Sequence, residues 1–422
     1  MSVLIAGGGI AGLALGLTCH QIGVPFKIFE SARYVRPLGV GINLQPAAVR
    51  ELHDLGLADA LASIGVETRD YGMHARFGQD VWTEPRGRFA GYHWPQYSVH
   101  RGALLMLLYE TLIDRAGTTC IEPGWRATGF ESQSGGATLH LESASEGQRA
   151  ETGDIVIGAD GIHSAIRAQI APDEGPPIWG GNILWRGTTR AKPFKSGASM
   201  VLIGYPGLRF VSYPITPPHP KTGEATVNWI CNLKMSEGAA FRKEDWTRAA
   251  DLADFLPHYA SFDLDWIDIP GLITGADEVL EYPLVDRDPL PCWRSSKVSL
   301  MGDAAHAAYP SGSNGAGAAI LDARTLGAAL VQHGCTEAAL HVYEAEMRPM
   351  TSAVTLANRA AGPDAILDEV DRRSGGRFER VQEVMSAEEL QAHAEDYKMM
   401  AGTSVRQTNQ KPPIIPPEAQ QI

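Results

Sequence analysis

Three glycines, Gly7, Gly9 and Gly12, stand in the pattern Gly-x-Gly-x-x-Gly between an apolar run over residues 3–6 and a helical stretch that opens at Ile10 and Ala11. Glycine at the first position permits a tight turn. At the second it lets the backbone approach a pyrophosphate, and at the third it lets the helix pack against the strand. The helix N-terminus then turns free N–H groups and a partial positive charge toward the phosphates. Glu30, followed by Ser31, closes the next apolar segment. A carboxylate there can accept hydrogen bonds from both hydroxyls of a ribose, and its charge disfavours a 2′-phosphate. These residues predict a dinucleotide site, and alone they do not separate FAD from a nicotinamide dinucleotide.

Later segments do. Ile157-Gly158-Ala159-Asp160-Gly161-Ile162-His163-Ser164-Ala165-Ile166-Arg167 resembles the DG motif of the class A flavoprotein aromatic hydroxylases. Met301-Gly302-Asp303-Ala304-Ala305-His306, with Pro310 and Gly315 following, resembles their GD motif. Arg101, followed by Leu104 and Leu108, resembles the arginine that precedes a helix in that family. The resemblance runs from residue 1 to about residue 360, and three ordered motifs are far more specific than one glycine loop. Within the family it is nearest to a phenazine-modifying branch, through residues 36–43, 45–48, 96–102, 282–291 and Trp185-Arg186-Gly187. Salicylate and urate hydroxylases resemble it more distantly.

The resemblance implies an FAD-dependent monooxygenase. NADH or NADPH reduces the flavin and leaves, O2 forms a flavin C4a-hydroperoxide, and an aromatic or heteroaromatic small molecule is hydroxylated. It implies that Asp303 holds ribityl or ribose hydroxyls, that Arg101 binds phosphate or ribityl oxygens, and that Gly315 and Ala316 open a helix toward the flavin pyrimidine. Asp160 is expected near the flavin and the nicotinamide, and Gly39 to Gly41 over the isoalloxazine. Many relatives have Asn where this chain has Gly317, and Gln or Lys at Asn314. A backbone role survives that change and a side-chain role at 317 does not. No catalytic base is legible, and Tyr213 and His53 are the only candidates for proton transfer. His306 reads as structural, and Asp286-Arg287-Asp288 as a salt-bridged turn in the cleft wall. Trp94, Tyr97 and Trp185 line an aromatic pocket or pack in the core. A same-fold epoxidase, oxidative decarboxylase or dehydrogenase is the alternative, and a non-catalytic flavin carrier a more remote one. There is no second Gly-x-Gly-x-x-Gly after a strand, which fits a nicotinamide cofactor that visits without its own fold. There is no Gly-x-Ser-x-Gly of an α/β-hydrolase either.

The elements that must position these residues form an α/β fold. It is a Rossmann-like FAD-binding domain interleaved with a mainly antiparallel β-sheet substrate domain, plus C-terminal helices. Helices are expected over 10–23, 46–57 and 101–112, and strands over 24–29 and 155–157. Residues 120–157 read as an antiparallel excursion, and strands follow over 183–188, 199–203, 209–213 and 225–233, floored by a helix over 244–255. The expected divisions are 1–174 and 276–360 for the two parts of the cofactor domain, 175–275 for the substrate domain, and 361–422 for a C-terminal helical segment. The prolines at 412, 413, 416 and 417 predict a loose tail. In 422 residues a net charge of −13, with no basic run, argues against nucleic acid. Five dispersed cysteines without a CxxC pair argue against zinc and for a reducing compartment. No apolar stretch reaches the ~20 residues of a membrane span, and no basic leader precedes Val3. These features predict a cytoplasmic protein without a metal.

Overall fold

The structure, a computed structural model, describes residues 2–37, 39–133, 135–236, 248–262, 264–360 and 362–421. Val3–Ala6 is buried along its whole length, as a strand covered on both faces must be. It pairs in parallel with Phe26–Glu30 on one side and Ile155–Gly158 on the other. Val298–Leu300 and Ile121–Pro123 extend this sheet in parallel, and Arg294–Ser295 adds a short antiparallel edge. Helices Ile10–Gln21, Arg101–Ala116 and Gly315–His333 share one apolar core with it. Arg324 is fully buried at the seam of three helices. It ion-pairs with Glu51 and Asp54 and donates to Gln21 Oε1 at 2.6 Å. That network fixes the bearing of the Gly315–His333 helix.

The excursion is a three-stranded antiparallel sheet, Arg126–Gln133, Gly136–Ser143 and Gly147–Gly153. A second large sheet has seven strands in the order Val279–Asp286, Ile178–Ala191, Ala225–Lys234, Leu208–Pro214, Ser199–Tyr205, Asp70–Ala75 and Asp80–Pro85. All its pairs are antiparallel except Ser199–Tyr205 with Asp70–Ala75. Three of these strands lie outside 175–275, so the sheet draws on segments that the sequence reading gave to the cofactor domain. A smaller sheet, Gly41–Leu44, Tyr97–His100 and Gly65–Glu67, joins the two halves.

Two expectations change. The helix over 244–255 is absent where the chain is described, and residues 244–247 lie outside the described residues. Ala249 forms a β-bridge to Leu280, Leu252–Asp254 is one 3₁₀ turn, and Leu256–Tyr259 is a four-residue helix. The floor is laid by Phe255, Tyr259, Phe262, Ile269 and Ile273 from short pieces, because aromatic burial rather than helix periodicity organises this stretch. The tail is not loose. Ile415 is wholly buried, Arg50 donates to the Lys411 carbonyl at 2.9 Å, and Gln421 N donates to the Gln21 carbonyl at 2.8 Å. Proline forbids helix here but not docking. Burying Ile415 contributes about 1.5–3 kcal/mol.

Candidate cofactor and substrate cleft

Gly7 turns at φ +107°, and a Cβ there would stand 2.3 Å from the Ala159 carbonyl oxygen, so the turn rests directly on the DG segment. A Cβ on Gly12 would stand 2.0 Å from the Gly7 carbonyl oxygen, so this glycine serves helix–turn packing and lines no recess. Gly9 differs, because a Cβ there would meet nothing within 4 Å. Its backbone faces open space at the helix N-terminus, which is the room a pyrophosphate needs. Glu30 closes one side. Its Oε2 accepts from Gly8 N and its Oε1 from Ala32 N, each at 2.6 Å. A recess of about 260 Å³ beside it is lined by Gly7, Gly9, Glu30, Ser31, Asp160 and His163, among others.

The GD turn is built from below. Gly302 at φ +60° donates its N–H to Asp322 Oδ2 at 2.9 Å, and His306 Nε2 meets the same oxygen at 2.7 Å. Both side chains are buried. Burial opposes charge on His306, but the Asp322 carboxylate, with Asp303 beyond it, outweighs burial and raises the imidazole pKa. Arg167 adds a second prop, donating from Nη1 to the carbonyls of Ala304 and Ala305 at 2.9 and 2.8 Å while ion-paired to Glu174. Asp303 is thereby presented, exposed, at the cleft. Asp160 Oδ2 accepts from Ala165 N at 2.8 Å. Burial raises the Asp160 pKa, and its Oδ1 is enclosed without a hydrogen-bond partner.

On the other side of Gly9 lies a cleft of about 400 Å³, which shares Gly9, Ala159 and Gly161 with the recess as lining. One wall carries Ile10, Ala11, Gly41, Arg101, Asp303, Gly315 and Ala316. Thus every predicted site residue except Gly12 borders one of the two compartments. The other wall is a face of the seven-stranded sheet. Strand alternation turns Leu184 and Arg186 to the cleft and Trp185 away, where it stacks on Phe255 at 4.7 Å. Val211 lies opposite both Ile230 and Leu202, which makes an apolar row across three strands. Tyr213 stands at one end of its strand's cleft face and Arg209 at the other, about 13 Å apart at the usual rise per residue. Burial pushes the Tyr213 pKa up to about 12 even with Arg186 beside it, so its phenol is neutral.

The remaining candidates fall elsewhere. His53 borders neither compartment. Trp94 packs against Arg50 and Tyr97 lies in the core. Asp286 and Asp288 ion-pair with Arg359, and Arg287 with Glu174, so that turn is salt-bridged as expected. Gly317 is buried, and a Cβ there would lie 3.4 Å from that of Ala48, so the position serves helix packing. Sequence reading missed Asp322, whose one signal is a carboxylate two residues before Arg324 in a mostly apolar helix, and it assigned no role to Arg209 or Asp364 at the far end of the cleft. Among the described residues no cluster could hold a metal, and no helix is long and apolar enough to cross a membrane.

An open glycine turn at a helix N-terminus, a carboxylate (Glu30) lining the recess beside it, an orphaned Asp160 oxygen and two adjoining compartments fit FAD. The chain belongs to the FAD binding domain family, whose match covers residues 1–267 and 285–357. Over 361 residues it is 40% identical to the phenazine 1,6-dicarboxylic acid hydroxylase of Lysobacter antibioticus, covering 85% of this chain and 89% of that one. It is 30% identical to the aurachin C monooxygenase/isomerase of Stigmatella aurantiaca, over 82% and 84% of the two chains. In fold it resembles Klebsiella pneumoniae HpxO complexed with FAD and uric acid, at TM-score 0.72, 21% identity and coverage of 96% and 97%. It also resembles a substrate complex of salicylate hydroxylase, at TM-score 0.72, 21% identity and coverage of 98% of both chains.

Proposed function

We propose that this protein is an FAD-dependent monooxygenase that hydroxylates a planar heteroaromatic acid of the phenazine class, with NADH or NADPH as co-substrate. The single observation that carries this reading is the adjacency of the two compartments. A glycine turn at a helix N-terminus borders both the recess beside Glu30 and the sheet-lined cleft, which meet at Gly9, Ala159 and Gly161. The phenazine class enters from the Lysobacter relative, because fold alone does not assign a substrate.

In this reading Gly7, Gly9, Ile10, Ala11 and Gly12 form the pyrophosphate turn, and Glu30 and Ser31 take the adenosine ribose. Arg101 and Asp303 hold phosphate, ribityl or ribose oxygens. Asp160 lies near the flavin and the nicotinamide, and Gly41, Gly315 and Ala316 border the ring system. FAD, once reduced, supplies the activation of O2 and the transfer of one oxygen atom. The chain's own work is to orient and enclose. The N-terminus of the Gly315–His333 helix would offer its N–H groups to the negative charge that reduction places on the flavin. The row Leu202, Val211 and Ile230 holds an aromatic ring flat and excludes water. Tyr213, neutral at working pH, donates or accepts a hydrogen bond without carrying charge.

The test is direct. The purified protein is expected to be yellow and to release FAD on denaturation. Across phenazine carboxylates, quinolones, salicylates and hydroxybenzoates, a phenazine acid should stimulate NAD(P)H oxidation most and yield a product carrying one atom of oxygen-18 from labelled O2. Absence of flavin, or oxidation that gives only hydrogen peroxide with every ring acid, overturns the proposal.

A further inference from the structure

The two arginines of the platform keep different company. Arg209 ion-pairs with Asp364 at 3.3 Å and with Asp368, so its charge is already matched. Arg186 lines the same cleft, and its Nη2 donates to the Gly41 carbonyl at 2.8 Å. Its Nε is closed off from solvent and has no partner. Among the described residues no carboxylate ion-pairs with it. Burial, and beyond it the neighbouring Arg101 charge, hold its pKa below the ordinary arginine value. A half-buried cation whose Nε is closed off from water and that has no counter-ion is costly, and such charges are ordinarily paired. Held by the Gly41 carbonyl and the neutral Tyr213 phenol but by no counter-ion, this guanidinium marks a place where something that binds brings the negative charge.

We infer that Arg186 seats the acid group of the aromatic substrate. The inference rests on reading the cleft as the site of a ring hydroxylase. Arg186 pairs across the sheet with Ile230, which lies beside Val211, which lies beside Leu202. At the usual strand spacing this line of four residues runs about 14 Å. A carboxylate held by the guanidinium therefore lays its rings along the apolar row, long enough for a fused three-ring system. The planar fork of arginine matches a carboxylate in a way that lysine does not. Only an anion recovers the desolvation that the unpaired cation has already undergone, so the site discriminates by charge.

The experiment uses the FAD-loaded enzyme without NAD(P)H. Binding of phenazine-1-carboxylate and of phenazine-1-carboxamide is followed through the perturbation of the flavin visible spectrum. The wild type should favour the acid at least tenfold. Arg186→Gln should abolish that preference by weakening the acid at least tenfold while leaving the amide within twofold. Arg186→Lys should restore part of it. FAD affinity and flavin midpoint potential should stay at wild-type values in Arg186→Gln. The FAD-stripped variant should melt no lower than the wild type, because a half-buried charge without a counter-ion is gone. Retention of the acid preference in Arg186→Gln overturns the inference. So does a loss of preference accompanied by an equal loss of FAD affinity or a shift in midpoint potential, which would assign the cation to the cofactor. If the wild type binds neither phenazine, the phenazine reading fails, and the same comparison with 3-hydroxybenzoate and 3-hydroxybenzamide decides the role of Arg186.

Discussion

Gly9 and Gly12 belong to one motif and do different work. Gly12→Val forces a side chain onto the Gly7 carbonyl and should cost about 1–3 kcal/mol of stability, the usual penalty of overpacking. It should be seen as a lower melting temperature with or without FAD. Gly9→Val meets no protein atom. It should leave the melting temperature of the FAD-free protein nearly unchanged and yet abolish FAD binding, because the valine fills the space of the pyrophosphate. Asp322 and His306 make a second case, with a pH signature. The folded imidazole pKa is raised, so the pair stabilises the protein fully below the ordinary histidine pKa, and that contribution is lost as pH rises through the raised folded value. Asp322→Asn should therefore lower stability most near pH 6, and the gap from wild type should narrow toward pH 9 in denaturant titrations.

At the scale of elements, the C-terminal segment reaches the site from beyond the span that the family match covers. Tyr397 accepts from Asn314 Nδ2 at 2.7 Å and donates to Asn358 Oδ1 at 2.8 Å. It thereby braces the turn Ser311–Ser313, in which Gly312 and Ser313 have positive φ and which leads into the helix at Gly315. A Cβ on Gly312 would stand 2.3 Å from the Tyr397 hydroxyl, so the fit is close. Tyr397→Phe preserves the ring and removes these two hydrogen bonds together with a longer one to the Ser311 carbonyl at 3.4 Å, each worth at most about 0.5–1.5 kcal/mol. The expected outcome is a folded, FAD-binding protein that releases more hydrogen peroxide per NAD(P)H oxidised, measured as product formed against peroxide formed. Unchanged coupling would limit Tyr397 to packing.

At the scale of the molecule, the cleft lies between the parallel sheet and the seven-stranded sheet. Its walls come from residues as distant in the chain as Gly9 and Asp364. A ligand that spans such a cleft binds the native chain and not the unfolded one. Its binding should then raise stability with concentration, by about 2.7 kcal/mol at a free FAD concentration a hundred times the dissociation constant. Melting temperature should climb with the logarithm of FAD concentration, and a melting temperature independent of FAD would contradict this placement of the cofactor.

The phosphate turn, the DG and GD segments and the α/β alternation were legible in the sequence because they are local. A glycine spacing, a strand end and a helix start lie within a few residues of one another, and backbone sterics act at that range. The exchange of strands between the two halves was not legible, because Asp70–Pro85 and Val279–Asp286 join the large sheet through long-range pairing that no local pattern encodes. Over 248–255, the described part of the expected 244–255 helix, the expectation failed for a related reason, since tertiary burial of aromatics overrode a modest helical periodicity. The tail was misjudged because proline content reports on backbone hydrogen bonding and says nothing of docking. Asp322, Arg209 and Asp364 are ordinary polar residues in sequence. They acquire meaning only when packing removes water and leaves each with particular partners. Arg186 stood in a recognisable Trp-Arg-Gly segment, yet only the tertiary structure reveals that among the described residues no carboxylate ion-pairs with it.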